Sequence, residues 1–177
     1  MNKQNIAQNS NLEEKILNEL QKNCRLNLDE IGKKCGCSRY KVARVMKKFE
    51  ENNVIIGYSA IINPKKKGLK HYILLVKRTT LPMEEDTLNK LPMGNITDMF
   101  PDIDIDVKFE DTLYLHGKYD WITTFTTDDI SHAKEFCREI FRLYHKYVDQ
   151  VELMETVLPI RINGFRIPDP KNIHDIL

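Results

Sequence analysis

Residues 28–55, LDEIGKKCGCSRYKVARVMKKFEENNVI, decide how this chain is read. Leu28, Ile31 and Cys35 share one face of a short amphipathic run that ends at Gly36, the residue type that closes a helix through the left-handed conformation. Ser38 follows as an N-cap, its hydroxyl placed to accept from a first-turn N–H. Beyond it Val42, Val45, Met46 and Phe49 recur at i, i+3, i+4 and i+7, the stripe of a buried helix face. At about 100° per residue the opposite face centres on Tyr40, Arg44 and Lys47, with Lys41 and Lys48 on one flank and Arg39 and Ala43 on the other. No acid interrupts the cations Arg39, Lys41, Arg44, Lys47 and Lys48, so pairing within the helix does not explain them. Two helices joined by a glycine turn, the second basic on its outer side, form a helix-turn-helix plan and suit phosphates and base edges.

Working outward, Leu12, Ile16, Leu17 and Leu20 recur at helical spacing behind Glu13 and Glu14, acids that favour a helix N-terminus. This predicts a first helix, ended by residues 23–25. Residues 1–10 are rich in Asn and Gln, resemble no export signal, and are expected to form a flexible tail. Downstream, residues 54–63, VIIGYSAIIN, favour strand and are broken by Gly57. They predict the small hairpin wing that completes a winged helix-turn-helix over residues 11–63. Pro64 and Gly68 mark residues 64–69 as a hinge, whose lysines are either solvated or positioned to grip phosphate.

Charge divides the chain in the same place. Residues 1–70 hold 15 Lys+Arg against 7 Asp+Glu, net +8, while residues 71–177 hold 12 against 19, net −7. The overall charge of +1 therefore conceals a half suited to polyphosphate and a half suited to something else. A hydrophobic content of 41% in 177 residues allows two small cores. No run of about 18 apolar residues is present to span a membrane. With no export signal the expected compartment is the reducing cytoplasm. Cys24, Cys35, Cys37 and Cys137 lack the C-x-x-C spacing of zinc sites, and Cys35 and Cys37 flank Gly36 where small apolar residues pack. Neither a metal nor another cofactor is expected.

The second half alternates strand and helix signals. A strand is predicted over 71–79, then a helix-like segment over 83–99 weakened by Pro92 and Gly94. In the next strand Ile103, Ile105, Val107 and Phe109 alternate with Asp102, Asp104, Asp106, Lys108 and Glu110, the period of a sheet with one wet face. A strand over 119–127, a helix over 131–147 burying Ala133, Phe136, Cys137, Ile140 and Tyr144, and a strand over 148–160 complete the order βαββαβ. That order is the ferredoxin-like plan, here over residues 70–163, and the fold class is α+β. Residues 164–177, with Gly164, Pro168 and Pro170, read as a C-terminal tail.

Four segments carry a family resemblance: KILNELQKNCR (15–25), the helix-turn-helix itself, GYSAIINPKKKGL (57–69), and Gly117-Lys118-Tyr119-Asp120. In their order and separations the chain resembles the Lrp/AsnC (leucine-responsive, feast/famine) family of prokaryotic transcription regulators over residues 10–163. The resemblance implies an N-terminal unit that binds double-stranded DNA and a ferredoxin-like unit that forms homodimers or higher homo-oligomers. It also implies a small-molecule effector, of the amino-acid class, bound between subunits. Ser38, Arg39, Tyr40, Ala43 and Arg44 then fall on the half of the reading helix that meets base edges, with Arg39 or Arg44 suited to guanine. Lys41, Lys47 and Lys48 fall to phosphates. Gly117, Tyr119 and Asp120 match the segment bordering the effector site, and Thr156 is a further candidate there. Asp120 is read either as an acceptor for an effector ammonium or as the capping carboxylate of a hairpin turn.

The sequence departs from the family pattern at the start of its first helix, in the proline-bearing segment 81–101, and beyond Ile162. An enzyme is the principal rival, because the two-domain plan also resembles siroheme decarboxylases of haem biosynthesis. His71, His116, His132, His145 and His174 fall in no recognisable catalytic motif, and the basic helix favours DNA.

Overall fold

The computed structural model describes residues 3–90 and 107–167. The chain divides into two compact units, Met1–Ala60 and Ile61–Leu177.

The first unit is built from α1 (Lys3–Lys22), α2 (Leu28–Cys35) and α3 (Arg39–Glu51). Helix α1 begins at Lys3, so the expected flexible tail over 1–10 is corrected: most of it extends the helix. Residues 3–10 contain neither Gly nor Pro, and propagation adds a hydrogen bond for every residue fixed once a helix exists. Ile16, Leu20, Ile31, Val42, Val45 and Phe49 form the buried core, with Cys35, Cys37 and Met46 packed against it. The two cysteines therefore serve as small apolar residues, and burial raises the Cys35 thiol pKa.

Residues 54–63, expected to form the hairpin wing, contain no strand. The N–H groups of Val54 and Ile55 return to the Phe49 carbonyl at 2.8 and 3.1 Å. The segment beyond contains no strand and leaves Ile56, Tyr58, Ile61 and Ile62 exposed. An isolated two-stranded hairpin is marginal in water, so strand-favouring residues alone do not make one.

The second unit opens with a 3-10 turn, Pro64–Lys67, capped by Gly68 at φ 70°. Pro64 is buried and the turn packs on the first strand, so the expected hinge 64–69 is part of this unit's fold. The division between units falls at 60/61 rather than 63/64. Then come β1 (Lys70–Arg78), α4 (Glu85–Lys90), β2 (Lys108–Tyr114), β3 (Trp121–Thr127), α5 (Ile130–Leu143) and β4 (Val148–Glu155). Helix α4 realises the start of the expected segment 83–99; residues 91–106, with the Ile103 and Ile105 alternation, lie outside the described residues.

The sheet order is β2-β3-β1-β4, every pairing antiparallel, which is the ferredoxin-like order. Tyr72, Leu74, Val76, Trp121 and Phe125 face inward and meet Ala133, Phe136 and Ile140 of α5. Aromatic rings hold this layer: Tyr72 stacks on Phe125 at 5.6 Å, and Phe136 meets Phe125 edge-on at 5.1 Å. By strand alternation Ile73, Leu75, Leu113, Ile122 and Met154 lie on the other face.

Beyond β4 a small hairpin joins β5 (Arg161–Ile162) to β6 (Phe165–Arg166). Its turn, Asn163 at φ 46° and Gly164 at φ 83°, has both residues in the left-handed region, as a two-residue hairpin loop requires. The boundary expected at 163/164 cuts through this hairpin and is corrected. Residues 168–177 lie outside the described residues.

Candidate nucleic-acid interface and sensor region

Local chemistry fixes the two helices of the first unit. Asn27 and Glu30 form a reciprocal capping box at the start of α2: the Glu30 N–H donates to Asn27 Oδ1 at 2.9 Å, and the Asn27 N–H donates to Glu30 Oε2 at 2.8 Å. Gly36 closes α2 at φ 72°, and the Cys37 N–H donates to the Gly32 carbonyl at 2.9 Å. A Cβ on Gly32 would lie 2.6 Å from the Cys37 carbonyl oxygen, so only glycine permits this approach of helix to turn. Ser38 Oγ then accepts from the Lys41 N–H at 3.3 Å and starts α3.

Helix α3 buries Val42, Val45 and Phe49 and presents Tyr40, Arg44 and Lys47 to solvent at i, i+4 and i+7. Tyr40 is 80% exposed, unusual for so large an aromatic side chain. Ser38, Arg39 and Ala43 are exposed beside it and Lys41 is half-buried. The expected acid-free face is corrected by two contacts from other helices and by one i,i+4 pair within α3 itself, Lys47–Glu51. Lys48 Nζ lies 2.8 Å from both carboxylate oxygens of Glu13 on α1, Arg39 reaches Asp29 on α2 at 3.4 Å, and Lys47 reaches Glu51 at 3.6 Å. Lys48, expected to face phosphate, is thus turned toward α1. Arg44 makes no hydrogen bond or ion pair among the described residues.

The four residues expected at an effector site are not gathered together within one chain. Gly117, Tyr119 and Asp120 lie in the loop between β2 and β3. The Asp120 N–H donates to the Val76 carbonyl at 2.9 Å, and its Oδ2 accepts from the Arg78 N–H at 2.7 Å. These two bonds tie the loop to the end of β1. A Cβ on Gly117 would meet nothing within 4 Å, so the chain's own packing does not demand glycine there. Thr156 sits beside the opposite end of β1, donating its N–H to the His71 carbonyl at 2.8 Å. His71 and Arg78 are seven residues apart on that strand, which places Thr156 about 23 Å from Asp120.

Sheet register also assembles groups with no local signal in sequence. Thr156 Oγ1 lies 2.6 Å from His71 Nδ1, and Glu110 lies 3.4 Å from His71 Nε2, so residues from three segments form one polar chain. Among the described residues Arg78 Nε and Trp121 Nε1 are buried without an acceptor, near the Asp120 end of the sheet. The remaining described histidines stand apart: His132 bonds Asp128, His145 bonds the Arg142 carbonyl, and His116 lies in the exposed β2–β3 loop. Among the described residues these three histidines are not brought together. Among the described residues no helix is long and apolar enough to cross a membrane.

Comparison with known proteins follows the same division. A family model described as winged helix-turn-helix DNA-binding matches residues 10–56. Over 125 residues the chain is 31% identical to HTH-type transcriptional regulator Ptr1 of Methanocaldococcus jannaschii, covering 71% of this chain and 76% of that protein. The leucine-responsive regulatory protein of Haemophilus influenzae is 42% identical over 50 residues, 28% of this chain and 30% of that protein. In fold, the chain resembles a Neisseria meningitidis transcriptional regulator solved as its L-Met complex. That likeness has a TM-score of 0.64 at 18% identity and covers 94% of this chain and 97% of the other.

Proposed function

The chain belongs to the Lrp/AsnC family of helix-turn-helix transcriptional regulators, and on that premise we propose which surfaces read DNA, pair with another copy and take an effector. Helix α3 enters the major groove with Tyr40 and Arg44 at base edges and Ser38, Arg39 and Ala43 beside them. Lys41 and Lys47 hold the phosphate backbone. The observation that carries this reading is the exposed Tyr40–Arg44 stripe, on a helix whose other side is locked into the core.

The second unit pairs with another copy through the outer sheet face, where Leu113 and Met154 are 54% and 41% exposed beside Ile73, Leu75 and Ile122. Two reading helices in one dimer address half-sites about one helical turn, or a multiple of it, apart. An effector of the amino-acid class engages the Gly117–Asp120 loop end, with a second subunit supplying the remainder of its site. The L-Met complex of the similar Neisseria regulator supports that class. The protein acts in the cytoplasm, where its operator is.

The test is fluorescence anisotropy on the gene's upstream region, at fixed salt, with wild type and Arg44→Ala. Loss of a base contact lowers specific affinity by about 1–3 kcal/mol and leaves non-specific binding nearly intact. Unchanged specific affinity overturns the assignment of Arg44.

A further inference from the structure

A groove of about 820 Å³ runs along the inner side of the sheet between α5 and the edge strand β4, away from the β2–β3 loop. Its volume falls within the range typical of small-molecule sites. Ile130 and Phe141 of α5 form one apolar wall, and Val151 and Leu153 of β4 form the other. Phe141 is 46% exposed and Ile130 38%, so this surface remains in water although the rest of the helix packs well.

Two cations rim the groove. Lys134 and Arg138 stand one helical turn apart on α5, and neither makes an ion pair or hydrogen bond among the described residues. The acid at the groove's end does not neutralise them: Glu155 is 3.4 Å from Lys70 Nζ and accepts from the buried Tyr72 hydroxyl at 3.5 Å. Two unpaired cations above an apolar trough, with the local carboxylate already engaged, suit an anion that carries a hydrocarbon body and no ammonium group. A zwitterion would set its ammonium against Lys134 and Arg138 with no free carboxylate to receive it.

The geometry points to a second ligand site in this groove, one that takes a hydrophobic monocarboxylate. Its carboxylate is held by Lys134 and Arg138, and its chain lies between Phe141 and the Val151–Leu153 edge. The site goes beyond the effector reading at the Gly117–Asp120 loop and shares no residue with it. Cys137 lines the groove, and burial pushes its thiol pKa up to about 11.

Octanoate is the probe, titrated into the full chain by isothermal calorimetry, with octylammonium, acetate and leucine as comparison ligands. The expected result is saturable binding of one octanoate per chain, with each comparison ligand at least about tenfold weaker, because charge and apolar body must both match. Lys134→Gln combined with Arg138→Gln keeps much of the polar reach of both side chains, removes both charges, and is expected to weaken octanoate by about tenfold or more. Wild-type-like unfolding of that variant, followed by the fluorescence of the buried Trp121, shows that the second unit is folded. Absence of saturable octanoate binding, equal affinity for octylammonium or leucine, or an unaffected folded double variant would each overturn the assignment.

Discussion

Replacing Gly32 by alanine tests how closely α2 approaches the turn that orients the reading helix. The added Cβ would lie 2.6 Å from the Cys37 carbonyl oxygen, a backbone atom that no rotamer change can move aside. Relief requires a shift of several tenths of an ångström. The turn resists it, because the Cys37 N–H is bonded to the Gly32 carbonyl at 2.9 Å and the next residue, Ser38, caps α3. Overpacking of this kind costs about 1–3 kcal/mol. Replacing a helical glycine by alanine returns about 0.5–1 kcal/mol. The net expectation is a loss centred on about 1 kcal/mol and reaching about 2.5 kcal/mol.

Urea unfolding followed by far-UV circular dichroism measures that loss for the helical unit. Trp121, the chain's one tryptophan, reports the second unit separately through its fluorescence. The same variant should lose specific DNA affinity more than non-specific affinity, because the start of α3 must move. A Gly32→Ala protein as stable as wild type, with unchanged operator binding, would refute the close approach. Gly36→Ala provides the contrast: its Cβ would meet nothing within 4 Å, but at φ 72° an L side chain costs about 1–2 kcal/mol, so strain replaces collision.

Lys47→Ala and Lys48→Ala should separate by salt titration of DNA binding: loss of Lys47 flattens the slope, whereas loss of Lys48 leaves it and costs stability by about 0.2–1 kcal/mol through its Glu13 pair. A flattened slope for Lys48→Ala would return that residue to the phosphate contacts. Asp120→Ala leaves the Arg78 N–H without its acceptor and should destabilise the second unit by about 1–3 kcal/mol, whereas Asp120→Asn keeps an acceptor and should cost less; Trp121-monitored unfolding measures both. Hydrogen bonds from Lys22 and Lys34 hold the Glu19 carboxyl at about 2, below its ordinary 4.5. A depressed folded-state pKa gives stability that is full above pH 4.5 and lost as pH falls toward 2, and Glu19→Gln should remove that dependence from the acid unfolding of the helical unit. An unchanged acid profile in Glu19→Gln would show that these lysines do not stabilise the folded carboxylate.

The helix-turn-helix was legible because its determinants are local. The Val42, Val45, Phe49 stripe, the Ser38 cap and the Gly36 closure each act within a turn or two of their own position. The order βαββαβ was legible for the same reason, since strand alternation and helical periodicity are read within one element. The Asn163-Gly164 hairpin carried a local signal that the tail assignment overlooked. The start of α1 was misread because helix propagation depends on neighbouring backbone as well as residue type.

By itself the sequence determined the element types, the buried stripes, the opposite charges of the two halves and the presence of a DNA-reading helix. Tertiary structure alone engaged Lys48 and Arg39, because Glu13 and Asp29 lie on other helices and reach α3 through packing, whereas the Lys47–Glu51 pair is local to α3. It alone separated Asp120 from Thr156, joined Thr156 to His71 and Glu110, and opened the groove beneath Lys134 and Arg138. Periodicity assigns a residue to a face, whereas the register between strands and the packing of helices decide what that face meets.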